Sequence, residues 1–282
     1  MMKSEILVAR LSGAELKPVK LPFITDNLNE VSQGLPAGAY TTFRTYEGSK
    51  ALWLDKHYQR LEETLALAGT PLQLDRRHIS EGVRKMLADY QGDNARVRIT
   101  VDATKNLGDV YIVLAPLVTP SAADYANGVV VISCDIGKRE NPKAKLSNFI
   151  SRAETIRNTL PKGVHEALIV NGGGQILEGL SSNFFAVRNG KLQFADDGAL
   201  SGLTMKMVLE EADRLGIPHH GEGVCISEVE QIDEAFITSA SRSILPVTEI
   251  DHKPVGDGKV GEVTKRLMEA FSQRLLKEIK LI

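Results

Sequence analysis

The sequence predicts an α+β protein of two domains, a small α/β N-terminal domain and a larger C-terminal domain with mainly antiparallel strands. Three observations predict it. The chain has 282 residues, about two domains at roughly 150 residues each. Strand and helix patterns alternate up to residue 116, whereas the later strands are separated by Asn171-Gly172-Gly173-Gly174 and Asn189-Gly190. Those are hairpin signals, because glycine and asparagine accept the positive φ of such turns. Between the halves, Pro116 and Pro120 with Ser121, Ala122 and Ala123 resist continuous helix or sheet. The small domain is therefore read as 1–117, a linker as 118–125 and the large domain as 126–282.

The β-branched and aromatic run at 38–46 ends at Glu47-Gly48 and resumes at 51–54, which reads as a hairpin. Asp55 stands where a helix N-cap belongs, Leu61, Leu65 and Leu67 recur on one helical face, and Gly69 stops the helix. A second helix follows Asp75 with the stripe Ile79, Val83, Met86 and Leu87. Strands at 96–101 and 110–115 complete the first domain. In the second, 129–133 is a buried-strand run, Ser147 can cap a helix over 148–160 ended by Pro161, and strands follow at 167–170, 175–177, 183–187 and 191–194. A glycine turn opens a helix at 204–216, and 262–282 reads as one docking helix with Val263, Leu267, Phe271 and Leu275 inward.

Composition excludes several function classes. With 34 basic and 36 acidic residues the formal net charge is -2, so the clustered positive charge that drives nucleic-acid binding is not expected. Two cysteines, Cys134 and Cys225, imply no disulfide scaffold and a reducing compartment. No apolar run approaches the ~20 residues of a membrane helix, and the start lacks a signal-peptide core. A cytoplasmic protein with a small-molecule partner is expected. Gly172-Gly173-Gly174 lacks the Lys-Ser/Thr and strand-to-helix context of a phosphate loop. His219-His220 has no neighbour at zinc-like spacing, so it is read as a surface loop and no metal is expected.

Four segments carry chemistry. In Lys143-Ala144-Lys145-Leu146-Ser147-Asn148-Phe149 a lysine precedes a helix N-terminus, where burial or a nearby cation would lower its pKa and make it a nucleophile. In Glu178-Gly179-Leu180-Ser181-Ser182-Asn183 one acid stands between an apolar strand and small polar residues, as the partner of a buried cation would. Leu200-Ser201-Gly202-Leu203-Thr204 opens a helix whose N–H groups and dipole suit an anion. Ser239-Ala240-Ser241-Arg242 follows a strand with hydroxyl residues.

Together with His57-Tyr58-Gln59-Arg60-Leu61, Asp233-Glu234-Ala235-Phe236 and Val247-Thr248-Glu249-Ile250-Asp251, these segments resemble the fold-type IV (class IV) pyridoxal-phosphate enzymes. That group includes branched-chain and D-amino-acid aminotransferases and aminodeoxychorismate lyases. The resemblance implies a PLP-dependent transaminase, branched-chain-aminotransferase-like, that moves an amino group between an amino acid and a 2-oxo acid. The lyase, which releases pyruvate, and a D-amino-acid aminotransferase are the alternatives. It implies Lys145 as the Schiff-base lysine, with Lys143 as rival, and Glu178 at the pyridine nitrogen. Arg60, Gly202, Leu203, Thr204, Ser239 and Ala240 would hold the phosphate, and Leu200 would lie against the ring. Tyr40 and Arg44 fall in the family's pocket segment. Arg98, which shares a strand face with Arg96, or Arg44 is read as recognising an acidic co-substrate such as glutamate. A homodimer is implied as well.

The sequence departs from the branched-chain pattern at four places. Phe149 stands where a tyrosine is usual after the motif asparagine, and Thr41-Thr42 where an acid and a glycine are usual. Ala240 replaces a threonine and Met205 an arginine.

Overall fold

In the computed structural model, which describes residues 6–137 and 141–282, the chain divides into two units. The first takes the residues up to Val118 and, in addition, the segments Ala144–Arg152 and Lys277–Ile282; the second takes Thr119–Lys143 and Ala153–Leu276. The contiguous division at 117 and 125 read from the sequence contains neither of those two returns.

The first unit comprises β1 (Leu7–Ser12), β2 (Glu15–Pro18), α1 (Leu28–Gln33), β3 (Gly38–Arg44), β4 (Lys50–Leu52), α2 (Leu54–Leu67), α3 (Arg76–Asp89), β5 (Ala95–Asp102) and β6 (Val110–Pro116). Five strands form an antiparallel sheet in the order β2-β1-β6-β5-β3. Strand alternation gives it two unlike faces. Phe43, Val97, Ile99, Ile112 and Leu114 join Leu61 and Leu65 of α2 and Ile79 and Val83 of α3 in one core, each such side chain contributing about 1.5–3 kcal/mol on burial. The opposite face is covered in part by α1, whose Leu28 and Val31 pack on Val113 and Ala115.

Local chemistry explains the helix starts. Asp75 caps α3, its Oδ1 accepting from His78 N at 3.1 Å. Asp55 is not the cap expected for α2. Trp53 takes that position with φ 52°, and Asp55 lies in the first turn, where its charge suits the helix dipole. The expected hairpin of 38–46 with 51–54 is reduced to one bridge, Tyr46 with Lys50. The turn forms, with φ positive at Glu47 and Gly48, but β3 pairs with β5 instead.

The second unit contains α4 (Ala122–Asn127), β7 (Val129–Cys134), the end of α5 (Asn148–Arg157), β8 (Val164–Val170), β9 (Ile176–Gly179), β10 (Asn183–Arg188), β11 (Lys191–Gln193), α6 (Leu203–Arg214), β12 (His219–His220), β13 (Glu234–Ser239), β14 (Ser243–Ile250), β15 (Lys253–Pro254) and most of α7 (Glu262–Glu278). Its sheet runs β12-β11-β10-β13-β14-β7-β8-β9, and a further pairing of Glu178 with Asn183 joins β9 to β10. Six strands thus close on themselves around Val131, Leu168, Ile176, Phe184, Ile237, Leu245 and Val247. All their pairings are antiparallel except β14–β7 and β7–β8.

Three expectations change here. The segment read as a linker carries α4, started by a Ser121–Asp124 capping box. His219 and His220 form a half-buried edge strand parallel to β11, not a surface loop. The C-terminal helix ends at Glu278, and β16 (Ile279–Leu281) returns to the first unit to pair with β4. Among the described residues no helix is long and apolar enough to cross a membrane.

Candidate active site

The Lys145 segment belongs to the first unit. Tyr40 N donates to Lys145 O at 2.9 Å, Ser147 N to Gly38 O at 2.9 Å, and Gly38 N to Ser147 Oγ at 3.0 Å. These bonds add a short antiparallel piece to the edge of β3, with Ala39 opposite Leu146. Gly38 is required there, since a Cβ would overlap Val101 O. The Ser147 hydroxyl, expected to cap α5, therefore serves the β3 edge. Lys145 Nζ lies 4.8 Å from the centre of the Tyr40 ring, and Lys145 is half-buried where its rival Lys143 is exposed.

Beside it, on the core side of β3, lies a buried basic cluster. Arg60 Nη2 donates to Thr41 Oγ1 at 2.5 Å and sits 3.3 Å from His57 Nδ1, which is 2.6 Å from the same hydroxyl. A guanidinium can only donate, so Nδ1 is an acceptor, Thr41 O–H donates to it, and His57 is neutral. Burial first, then the charges of Arg60 and Lys145, hold His57 well below its usual pKa. Burial also lowers Arg60 to about 10, against the opposing influence of Tyr40 and Glu63. Arg60 Nε is sealed from solvent without a hydrogen-bond partner.

Tyr40, Thr42 and Arg44 share the other face of β3, opposite Thr100, Arg98 and Arg96. Arg44 stacks on Tyr46 with its Cζ 4.7 Å from the ring centre, and its Nε is buried without a partner. Arg98 corrects the sequence reading. It is 3% exposed, and its donors reach Thr42 Oγ1 at 3.1 Å, Leu28 O at 3.1 Å, Ser32 Oγ at 2.6 Å and Asn29 Oδ1 at 2.9 Å. With its fork engaged by α1, Arg98 anchors that helix and is not positioned as a substrate-binding arginine.

In the second unit, buried Glu178 accepts from Leu200 N through Oε2 at 3.1 Å, and Asn183 Nδ2 donates to Leu200 O at 2.6 Å. Leu200 is thus clamped on both sides of its backbone. Gly202 then caps α6 with no side-chain bond to the first turn, and a Cβ on it would overlap Asn183 Oδ1. Leu203 and Thr204 are buried in that first turn. Ser239 ends β13 and Ala240 begins the turn to β14, both half-buried.

Sequence reasoning missed one buried pair here. Glu166, 1% exposed, binds Arg242 at 2.9 Å, and Arg242 Nε donates to Ser239 Oγ at 3.0 Å. Arg242 is visible in the sequence beside the hydroxyl run, but nothing in the pattern points to a partner 76 residues away.

Residues 38–250, well over half of the chain, match the family described as Amino-transferase class IV. The chain belongs to this family. A Thermotoga maritima protein named "Probable branched-chain-amino-acid aminotransferase" is 29% identical over 255 residues, 86% of this chain and 88% of that one. A D-alanine aminotransferase of Staphylococcus aureus is 26% identical over 258 residues, 84% of this chain and 87% of the other. The fold is that of the branched-chain aminotransferase of Thermoproteus uzoniensis solved with norvaline (TM-score 0.79, 20% identity, 99% of each chain). It is equally that of the T.th. branched-chain aminotransferase solved with pyridoxamine 5'-phosphate (TM-score 0.79, 18% identity, 100% of this chain and 99% of that one).

As a class IV aminotransferase the chain is a PLP-dependent transaminase, and its substrates are amino and 2-oxo acids. Each unit carries residues that suit that cofactor. In the first, the orphaned, buried Arg60 Nε suits a phosphate oxygen; in the second, an α6 N-terminus without a side-chain cap offers backbone N–H groups to an anion, and buried Glu178 suits a protonated ring nitrogen.

Proposed function

We propose that this transaminase transfers the amino group of branched-chain amino acids to a 2-oxo acid. Bound PLP supplies an electron sink for the pair left at the substrate α-carbon. Lys145 Nζ would hold the cofactor through its aldehyde and, as the free amine, would take the substrate α-proton as general base and give it back as general acid. Glu178 would keep the ring nitrogen protonated. Arg60, the backbone of Gly202 and Leu203, and Thr204, Ser239 and Ala240 would hold the phosphate, and Leu200 would lie against the ring. Tyr40 and Arg44, on one face of β3 with Lys145 Nζ over the Tyr40 ring, line the substrate side, Arg44 meeting the acidic co-substrate.

The observation that carries the branched-chain reading is the likeness to the Thermotoga maritima relative along 86% of the chain. A D-amino-acid reading is favoured by two others: the Lys145-x-x-Asn148 spacing with Phe149 after it, and the D-alanine aminotransferase relatives. The same spacing supports a pyruvate-releasing lyase. One panel separates the three. Holoenzyme is assayed with L- and D-amino acids against 2-oxoglutarate and pyruvate, and with aminodeoxychorismate alone. Turnover of L-leucine, L-valine and L-isoleucine is expected; turnover of D-alanine only, or pyruvate release without an acceptor, overturns the branched-chain reading. Lys145→Ala is expected to abolish turnover in every case. We further propose a homodimer in the cytoplasm, with light scattering on the purified chain as the check of its assembly.

A further inference from the structure

We propose that Glu166 and Arg242 are a positioning pair that holds the Ser239–Arg242 turn so that the Ser239 hydroxyl donates to the cofactor phosphate, a proposal that rests on the assignment of Ser239 above. Glu166 Oε2 accepts from Arg242 Nη2 at 2.9 Å, Ser181 Oγ at 3.0 Å and Ser182 Oγ at 3.3 Å. Arg242 Nη2 also reaches Ser181 Oγ at 2.7 Å and Ser181 O at 3.2 Å. One buried carboxylate therefore ties together the loop after Glu178 and the turn after Ser239.

Gly179 belongs to the same arrangement, because a Cβ there would overlap Ser182 Oγ and crowd Glu166. Burial raises the Glu166 pKa, but the charges of Arg242 and Arg157 and the bonds from Arg242 and Ser181 outweigh it, so the carboxyl is held below its usual value. The backbone of Arg242 is pinned as well. Its N–H donates to Ser239 O at 3.3 Å and its carbonyl accepts from Tyr125 OH at 2.8 Å.

The consequence falls on Ser239. Its oxygen accepts from Arg242 Nε, which leaves the hydroxyl proton to be directed at another acceptor. Arg242 thus orients a donor without touching the cofactor. The planar fork matters, since only a guanidinium addresses Ser239 and Glu166 at once.

The full chain, stripped of cofactor, is titrated with PLP and separately with pyridoxal, which has the aldehyde but no phosphate. Arg242→Gln and Glu166→Gln are each expected to weaken PLP binding by about tenfold, as loss of one charge-assisted hydrogen bond would, and to leave pyridoxal binding little changed. Arg242→Lys, which keeps the charge for Glu166, is expected to show the same selective loss and serves where a glutamine variant fails to fold. The double glutamine variant should lose no more than the worse single variant. Equal weakening of PLP and pyridoxal, or of neither, overturns the proposal. Ser239→Ala separates the two layers: if it leaves the preference for PLP intact, the phosphate assignment fails and the proposal with it. If Ser239→Ala lowers that preference and Arg242→Gln does not, only the positioning role fails.

Discussion

Thr41→Val isolates the smallest part on which the basic cluster depends. Valine has nearly the shape of threonine, so no cavity opens, but the hydroxyl that accepts from Arg60 at 2.5 Å and lies 2.6 Å from His57 Nδ1 is gone. The bond from the guanidinium is charge-assisted and worth about 1.5–3 kcal/mol, the neutral one about 0.5–1.5 kcal/mol. Thr41 is fully buried, so water does not replace either. The expected loss is about 2–4 kcal/mol, a Tm drop of about 5–15 °C for a chain of this size. A second signature is the pH dependence. His57 is held below its unfolded value, near 6.5, so the unfolded chain binds more protons between the folded pKa and 6.5. Stability from this site is full above pH 6.5 and is lost as pH falls toward the folded value. Removing the Thr41 donor disfavours the neutral ring, raises the folded pKa and makes that acid-side slope shallower. Thermal unfolding from pH 5 to 8 measures both effects, with Thr41→Ser expected to retain most of the stability and slope. A valine variant as stable as the parent, with the same slope, refutes the neutral-histidine network.

Other outcomes follow from the same structure. Gly202→Ala keeps an allowed backbone but drives its Cβ into Asn183 Oδ1; by displacing the Asn183 bond to Leu200 O it should cost about 1–3 kcal/mol, read from urea midpoints, and weaken PLP binding. Arg98→Met should leave four acceptors on α1 and β3 without their donor, destabilising the chain by about 3 kcal/mol or more and exposing α1 to limited proteolysis. Because the folded Glu166 pKa is lowered, its contribution is present above the unfolded value near 4.5 and lost as pH falls through the folded one. The stability gap between the parent and Glu166→Gln should therefore be constant at neutral pH and close under acid, as followed by denaturant titration.

The parts of the site legible in the sequence are those carried by local pattern. The helix start after Asp75, the Asn171 to Gly174 turn and the glycine at the start of α6 each act on bonds within a few residues, and the structure has each where the spacing puts it. Long-range pairing leaves no such trace. Ser147 reads as a helix cap because serine before a helix usually is one, yet its hydroxyl accepts from Gly38, 109 residues away. The 38–46 run reads as half of a hairpin because its turn chemistry is correct, and only the competing partner β5, eight residues long and apolar on one face, overrules it. Arg98 is the same failure in a side chain. Its strand parity is readable, but nothing in 28–33 announces a helix that would occupy its fork.

These misses share a cause that bears on the chemistry. By chain order Lys145 falls in the second domain, since it follows 118–125, whereas backbone bonds from Gly38 and Tyr40 tie it to the first unit. Those bonds fix the main chain on either side of the lysine without using its side chain. The β3 edge thus anchors the main chain on either side of Lys145, as Glu166 and Arg242 anchor the turn after Ser239. Sequence motifs name the reacting groups, since their chemistry demands particular side chains. The anchors need only a backbone N–H, a carbonyl or a buried charge at the right distance, and any of several residues can provide that.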